Sequence, residues 1–443
     1  MQILENSGEG HLVSTQQTVD HSHVDTTLHL LRQLFGDETP ASLAVRLWDG
    51  SQWPDSGPRP VTLLLRHPGA LRAMFAGGGE LSLSEAYLYD DFDIEGSIES
   101  VFDMAAVLTR RANGIGRKLS LLSALRRLPR TDHRGSPTRG RARLSGRQHS
   151  VQRDREAVRY HYDVSNDFYR LFLDEQMVYS CAYFTSPEMS LDAAQQAKLD
   201  MICRKLRLKP GQRLLDVGCG WGGLVMHAAR TYGVDATGIT LSSRQVELSN
   251  ERIASAGLGA SCRVQLQDYR EVPEERPFDV LVSIGMFEHV GQALLPAYFQ
   301  KASRLLRRGG VFLNHGIASR AADVIQRGPS FSDTYVFPDG ELVPISTTLR
   351  AAEEAGFEVR DVESLREHYA LTLRHWVRRL EAGHVEALRH VDEPTYRVWR
   401  LYMSGSAHGF ASRRLNVYQA LLAFPDSRGQ SGLPLTRADW YCH

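Results

Sequence analysis

The chain has 443 residues, 42% of them hydrophobic, and its 52 Lys and Arg balance 52 Asp and Glu to a formal net charge of zero. That length allows about two or three domains with sizeable cores. No run approaches the roughly twenty apolar residues that span a bilayer, and Met1–Ser7 lacks the basic and apolar regions of a signal peptide, so a cytoplasmic location is expected.

The five cysteines, Cys181, Cys203, Cys219, Cys262 and Cys442, are odd in number and show no C-x-x-C pairing, which indicates neither a disulfide framework nor a metal site. Cys203 and Cys262 read as small buried hydrophobes.

In chain order, residues 1–23 are polar and read as a mobile tail, in which His21 and His23 are solvated rather than metal ligands. Residues 24–109 read as a small α+β domain. It has a helix from Thr26 to Phe35, strands at 43–48 and 61–66, helical segments near 71–75 and 83–89, and an acidic run, Asp90–Glu95, leading into a helix over 98–108. Residues 110–152 read as a linker, because apolar periodicity stops and Arg, Ser, Gly and Pro accumulate. Twelve Lys or Arg fall between Arg110 and Arg147 against one acid, Asp132. A solvated linker is the plain account, and attraction to anionic lipid headgroups the sharper one. Nucleic acid is not expected, since nothing elsewhere offers a reading helix or stacking strands.

Residues 153–443 read as the catalytic domain. An aromatic segment at 160–169 precedes a helix over 191–208. Strands at 213–217, 235–241, 262–267, 278–285 and 310–315 then alternate with helices at 221–232, 243–256 and 294–307. Helical stretches at 368–381 and 394–406 and a last strand at 415–423 follow. The alternation predicts an α/β fold with a doubly wound, Rossmann-like parallel sheet, which binds ligands at the carboxyl ends of its strands.

The first of those ends carries the strongest local signal, Arg213 to Leu224. A buried strand ends at Asp216, and Gly218, Gly220 and Gly223 then turn without a Cβ between backbone and ligand. The spacing fits a dinucleotide turn, but Asp216 would repel a pyrophosphate while suiting the ammonium of S-adenosylmethionine. The strand Ala236–Leu241 also ends without the acid that holds an NAD ribose. S-adenosylmethionine is therefore favoured over a dinucleotide or an empty structural turn. Three more segments fall where an active site belongs: Ser283–Val290, Asn314–Ile317 and Tyr179–Phe184. Singly, Glu288 reads as a helix N-terminal acid and His315 as a core histidine; their shared position at strand ends raises the functional reading.

With those segments in view, the chain resembles the cyclopropane-fatty-acyl-phospholipid synthase family from about Tyr160 onward. The likeness runs through His161–Asp163, Tyr179–Phe184, Leu214–Gly222, Gly238–Ser242, Phe287–His289, Phe337–Leu342, and His368-Tyr369 with Leu373 and Trp376. Residues 43–108 resemble the family's N-terminal lipid-binding domain more weakly. The resemblance implies a class I methyltransferase sheet and a cis alkene of a membrane phospholipid as acceptor. The alkene takes the sulfonium methyl, and loss of a proton from that carbon closes a cyclopropane ring. The family's base is a bound bicarbonate, whose ligands fall by motif on Cys181, Glu288, His315, Ile317 and Tyr369. Glu288 would accept the bicarbonate hydroxyl, while His315 and Tyr369 would donate. Cofactor contacts fall on Tyr179, Ser180, Asp216, Gly218, Gly220, Thr240, Leu241 and Gln245, with Asp268 and Tyr269 near the adenine.

Aromatic faces can stabilise a carbocation without capturing it; Tyr162, Phe168, Tyr169, Tyr183 and Phe184 are candidates, each equally a core residue. Cys181 reads as a ligand rather than a methyl-accepting nucleophile, since no cation adjoins it in sequence. Partners expected are phospholipid with unsaturated acyl chains, peripheral contact with an anionic membrane and, as an open option, a second copy in a homodimer. Loss of a different proton would give a methylene or methyl-branched chain, and Leu47–Gly50 and Trp399–Gly405 look closer to that branch of relatives. An inactive lipid-binding or transfer protein and a small-molecule methyltransferase are the alternatives of other kinds.

Overall fold

The computed structural model describes residues 9–35, 42–54, 57, 59–102, 115–130, 140–142, 144–162, 164–322 and 330–441. Most of the helix expected at 98–108, much of the basic segment, Asp163 and Cys442 lie outside the described residues. The chain divides into two compact units: residues 1–140 with 329–331 and 392–401, and residues 141–328 with 332–391 and 402–443.

The first unit contains strands β1 (Leu43–Arg46), β2 (Gln52–Trp53), β3 (Val61–Leu65) and β4 (Phe92–Gly96), ordered β2-β1-β3-β4. β1 and β3 run parallel, and β4 pairs antiparallel with β3. Three local expectations are corrected here. The first helix spans Glu9–Phe35, so the stretch read as a mobile tail is helical from Glu9 onward. The acidic run itself forms strand β4, ahead of a helix that is described over residues 99–102: Phe92 and Ile94 alternate inward while the acids point outward. Asp90 and Asp93 pair with Arg66 at 3.2 and 2.8 Å and also, far along the chain, with buried Arg397, whose Nη2 donates to them at 2.8 and 3.1 Å. The segment read as linker contains a helix, Ile115–Leu125, which buries Leu121 and Leu125. Arg72 donates to Leu128 O at 2.7 Å just beyond it. The density of basic residues hid an apolar stripe that a few leucines suffice to form.

The second unit holds β5 (Arg213–Val217), β6 (Asp235–Thr240), β7 (Cys262–Leu266), β8 (Phe278–Ile284), β9 (Leu306–Ser319), β10 (Glu358–Ser364) and β11 (Leu415–Phe424). Their order is β10-β11-β9-β8-β5-β6-β7, with β11 antiparallel to both neighbours. This is the doubly wound sheet that the strand–helix alternation predicts, with one added feature: β10 and the helix Ile345–Glu354 were not foreseen. β10 shows why, since its burial pattern lacks a clean two-residue alternation. One core layer joins Leu214, Val225, Ala236, Val264, Val280 and Leu313; the other joins Leu215, Phe299, Phe312, Leu422 and Phe357. Both layers fix the strands whose carboxyl ends carry the site.

Candidate active site

At the end of β5 the backbone turns through Gly218, Gly220 and Gly222, with φ of 83°, 55° and 77°. Gly218 N and Cys219 N both donate to Ile239 O at 3.0 Å, which fastens the turn to β6. A Cβ on Gly218 would lie 2.7 Å from Met286 Cβ, so any other residue would strain the turn. Gly222, not Gly223, takes the left-handed position before the helix Gly223–Tyr232.

A cavity of 1180 Å³, its open mouth included, begins at this turn. All ten residues expected to hold the cofactor line it: Tyr179, Ser180, Asp216, Gly218 and Gly220 near the turn, and Thr240, Leu241, Gln245, Asp268 and Tyr269 beyond. Thr240 Oγ1 donates to Gln245 Oε1 at 2.6 Å, leaving the amide nitrogen as the group Gln245 offers. Asp268 is less open than expected. Its two oxygens accept from Arg270 at 2.9 and 2.7 Å, and Arg270 also reaches Asp154 at 2.9 Å.

Asp216 is buried, and its Oδ1 has no hydrogen-bond partner among the described residues. Burial pushes its pKa up to about 7, with Lys198 opposing the shift. Lys198, from the helix Leu191–Leu206, is a lining residue that the motifs do not reveal. Its Nζ donates to Ser180 Oγ at 2.9 Å. Burial lowers its pKa to about 8 against the pull of Asp174, Cys181 and Asp216. One turn earlier, Gln195 Nε2 donates to Val178 O at 3.1 Å and Ser180 O at 2.9 Å, holding the Tyr179-Ser180 segment against the cavity. A signal for both existed: they interrupt the buried stripe of Leu191, Ala194, Leu199 and Ile202, where polar residues are uncommon. An uncompensated carboxylate, a nearby ammonium and a wall without Cβ atoms fit the amino-acid end of S-adenosylmethionine.

The five residues expected to hold an anion lie outside that lining, and two of them, His315 and Ile317, stand on strand β9. Ile317 N donates to Glu288 Oε1 at 2.7 Å, so this backbone group, expected to contact the anion, is engaged with the carboxylate instead. His315 stands two residues earlier on β9, which places it on the same face as Ile317. Leu365 O accepts Tyr369 N at 3.0 Å and lies 3.6 Å from Cys181 Sγ. Burial drives the Tyr369 hydroxyl well above its usual pKa, with Tyr402, Cys181, Glu288 and Tyr162 adding to the shift. Burial likewise drives the Cys181 thiol far up, which keeps it protonated and unsuited to nucleophilic attack. Glu288 rises to about 7 by burial, with the Ile317 hydrogen bond opposing. Glu288 Oε2 and His315 Nε2 are buried atoms with no hydrogen-bond partner among the described residues. A small polar group that reached both atoms would satisfy them.

Among the aromatic candidates, Tyr162 lines the cavity. Phe168 and Tyr169 are fully buried and pack on one another and on Phe172. Tyr183 and Phe184 stack on His368 and His375. The upstream motif is also explained by packing: His161 stacks on Phe337 at 3.9 Å, and its Nδ1 lies 3.0 Å from Val336 O. The Phe337–Leu342 motif reaches the anion cluster through Glu341 N, which donates to Glu288 O at 3.0 Å. Among the described residues no group of three or more His, Cys, Asp or Glu could hold a metal ion, and no helix is long and apolar enough to cross a membrane.

Residues 149–420 match the family described as mycolic acid cyclopropane synthetase. A probable fatty acid methyltransferase of Pseudomonas putida is 43% identical over 403 residues, covering 90% of this chain and 96% of that protein. The cyclopropane-fatty-acyl-phospholipid synthase of Escherichia coli (strain K12) is 38% identical over 278 residues, 62% of this chain and 69% of that one. Among solved structures, a mycolic acid cyclopropane synthase complexed with SAH and CTAB is 38% identical, with a TM-score of 0.57 over 60% of this chain and 97% of that chain. The fold is thus the class I, Rossmann-like methyltransferase sheet.

Proposed function

The chain belongs to the mycolic acid cyclopropane synthetase family, and on that premise we propose that it alkylates the cis double bond of an unsaturated fatty-acyl chain of a membrane phospholipid, closing a cyclopropane ring. The observation that carries the reading is that Glu288 Oε2 and His315 Nε2, on two of the five residues expected to hold the anion, are buried and have no hydrogen-bond partner among the described residues. When bound, S-adenosylmethionine supplies the electrophilic methyl group and bicarbonate the base that removes a proton from it once it is on the chain.

Asp216 takes the cofactor's ammonium, and the Lys198–Ser180 pair faces its carboxylate. Gln245 and Leu241 hold the nucleoside, and the Gly218–Gly220 turn lets backbone approach it. Glu288 is fixed at one oxygen by Ile317 N and accepts the bicarbonate hydroxyl at the other. His315 and Tyr369 donate to the anion, and the Cys181 thiol completes its surroundings. Because an alkene is a weak nucleophile, most of the rate comes from alignment in a site without water. The face of Tyr162 offers the developing cation stabilisation without a bond. In this reading residues 24–109 are a lipid-binding domain, residues 153–443 the catalytic domain, and the basic segment between them draws the protein to anionic headgroups, at about 1 kcal/mol per cation near the surface.

A second reading has an observation of its own. The relative matching 90% of this chain is named a probable fatty acid methyltransferase, which favours a methylene product arising at the same site when a hydride shifts from the methylated carbon to its cationic neighbour before the new methyl loses its proton. Purified protein incubated with S-adenosylmethionine and oleoyl phospholipid vesicles tests both. Release of S-adenosylhomocysteine with cyclopropyl proton resonances supports ring closure, and vinylidene resonances support the methylene product. Release with a soluble acceptor but none with vesicles contradicts both, and no release at all returns the chain to a lipid-binding role.

A further inference from the structure

Behind His315 a row of polar side chains crosses the sheet. Glu363 on β10 is the register partner of Gln419 on β11, and Gln419 is the partner of His315 on β9. Lys205, in the last turn of the helix Leu191–Leu206, lies over this row. Its Nζ donates to the Glu363 carboxylate and, at 2.7 Å, to Gln419 Oε1. Gln419 Nε2 in turn lies 3.1 Å from His315 Nδ1. Lys205, Gln419 and His315 are only 1%, 1% and 2% exposed, whereas the Glu363 side chain keeps 26%. A buried ammonium is costly unless paired, so this placement calls for a role.

Donor and acceptor chemistry leaves one arrangement of protons. An ammonium can only donate, so it must face the amide oxygen of Gln419, which turns the amide nitrogen toward the ring. An amide nitrogen can only donate, so His315 Nδ1 must be the accepting, unprotonated nitrogen. The ring proton therefore sits on Nε2, the buried atom with no hydrogen-bond partner among the described residues. Burial, aided by Lys198 and Lys205, lowers the pKa of His315 to about 3, so the ring is neutral.

We infer that Lys205 and Gln419 are positioning residues that lock His315 in the Nε2–H tautomer, making it a neutral donor to the bound anion. The opposite tautomer would aim a lone pair at the anion and repel it. An imidazolium would hand its proton to the base and quench it. Glu363 balances the Lys205 charge and anchors the row near solvent. The catalytic consequence rests on the proposed function, in which His315 contacts the anion; the tautomer does not.

The test is nitrogen-15 spectroscopy of the full chain labelled at histidine, with the His315 signal identified by its loss in His315→Asn. Wild-type protein should show a single Nε2–H tautomer that is unchanged around neutral pH. In Gln419→Glu the carboxylate can only accept, so the tautomer should reverse. Turnover on oleoyl phospholipid vesicles should then fall about 100-fold, the scale of losing one preorganised donor, while cofactor affinity by calorimetry stays unchanged. Lys205→Met, which keeps the buried volume but frees the amide to turn, should give a mixture of tautomers. An Nδ1–H tautomer in wild type overturns the assignment, and a single Nε2–H tautomer retained in Lys205→Met overturns the locking role, a reading that stands even if Gln419→Glu does not fold. A reversed tautomer with undiminished turnover removes the positioning role. If the tautomers behave as stated but wild type transfers no methyl to lipid, the proposed function fails and the tautomer assignment survives.

Discussion

The cavity at the end of β5 draws its lining largely from contiguous runs, residues 177–180, 216–221, 239–241 and 267–270. The cluster around Glu288 takes single side chains from the 179–184 segment, the loop after β8, strand β9 and the helix Arg366–Ala382. On the proposed function, the difference follows from what each place has to grip. A large ligand can be held by backbone and by neighbours in sequence, so a turn and its flanks suffice. A small anion needs several side chains to converge on a few atoms, and only strand register and helix placement achieve that. The first region should therefore fail gradually when altered, and the second abruptly.

The largest effects should fall in the second region. His315→Leu and Tyr369→Phe each remove one donor that the proposed function directs at the anion, and each should lower kcat by about 100- to 1000-fold with little change in cofactor affinity, measured by S-adenosylhomocysteine release and by calorimetry. Equal losses in both quantities would erase the distinction between the regions. In the first region, Asp216→Asn should weaken S-adenosylmethionine binding by about 30-fold or more, as expected for the loss of a buried charge partner. Turnover at saturating cofactor should be largely kept.

A pH titration sharpens the comparison further. Asp216 rises to about 7 by burial and Lys198 falls to about 8, so both are charged together only between those values. Cofactor affinity should peak there, dropping as pH falls through about 7 because the carboxylate takes up a proton, and dropping again above about 8 as the ammonium loses one. For the ligand-free protein the sign is the reverse of the usual carboxylate case. The folded-state pKa of Asp216 lies above its unfolded value, so its contribution to stability is complete in acid and is lost as pH rises through about 7. S-adenosylmethionine should consequently raise the melting temperature more near neutrality than in acid. A shift of equal size at both pH values would place the cofactor's ammonium elsewhere. The smallest effect expected is that of Gly218→Ala, which forces a positive φ and a contact with Met286. It should cost about 1–3 kcal/mol of stability in denaturant titration, besides loosening the cofactor.

Legibility in the sequence divides along the same line. Gly218, Gly220, Thr240, Leu241 and Gln245 sit in short motifs, and every cofactor residue read from them lines the cavity. Glu288 and His315 were visible as polar groups at strand ends, but their joint role came from a family likeness, since nothing local ties residue 288 to 315, 317 and 369. Lys198 and Gln195 left a trace, as polar breaks in an apolar helical stripe. Lys205 and Gln419 left none, because their meaning lies in a cross-strand register, Gln419 opposite His315, that single-chain periodicity does not encode. The doubly wound sheet was readable because strands and helices alternate. Strand β4 and the helix Ile115–Leu125 were not, as charge dominated their composition while a few apolar side chains decided their structure.

The central claim is that cofactor binding and base chemistry occupy separable parts of the site, and Glu288→Gln tests it most directly. The change keeps shape and removes the carboxylate that lies outside the cavity lining, so cofactor affinity should stay within about threefold while turnover on unsaturated phospholipid falls by about 1000-fold or more. A Glu288→Gln protein that loses cofactor binding in step with turnover, or that still alkylates the acyl chain at near the normal rate, would contradict the account.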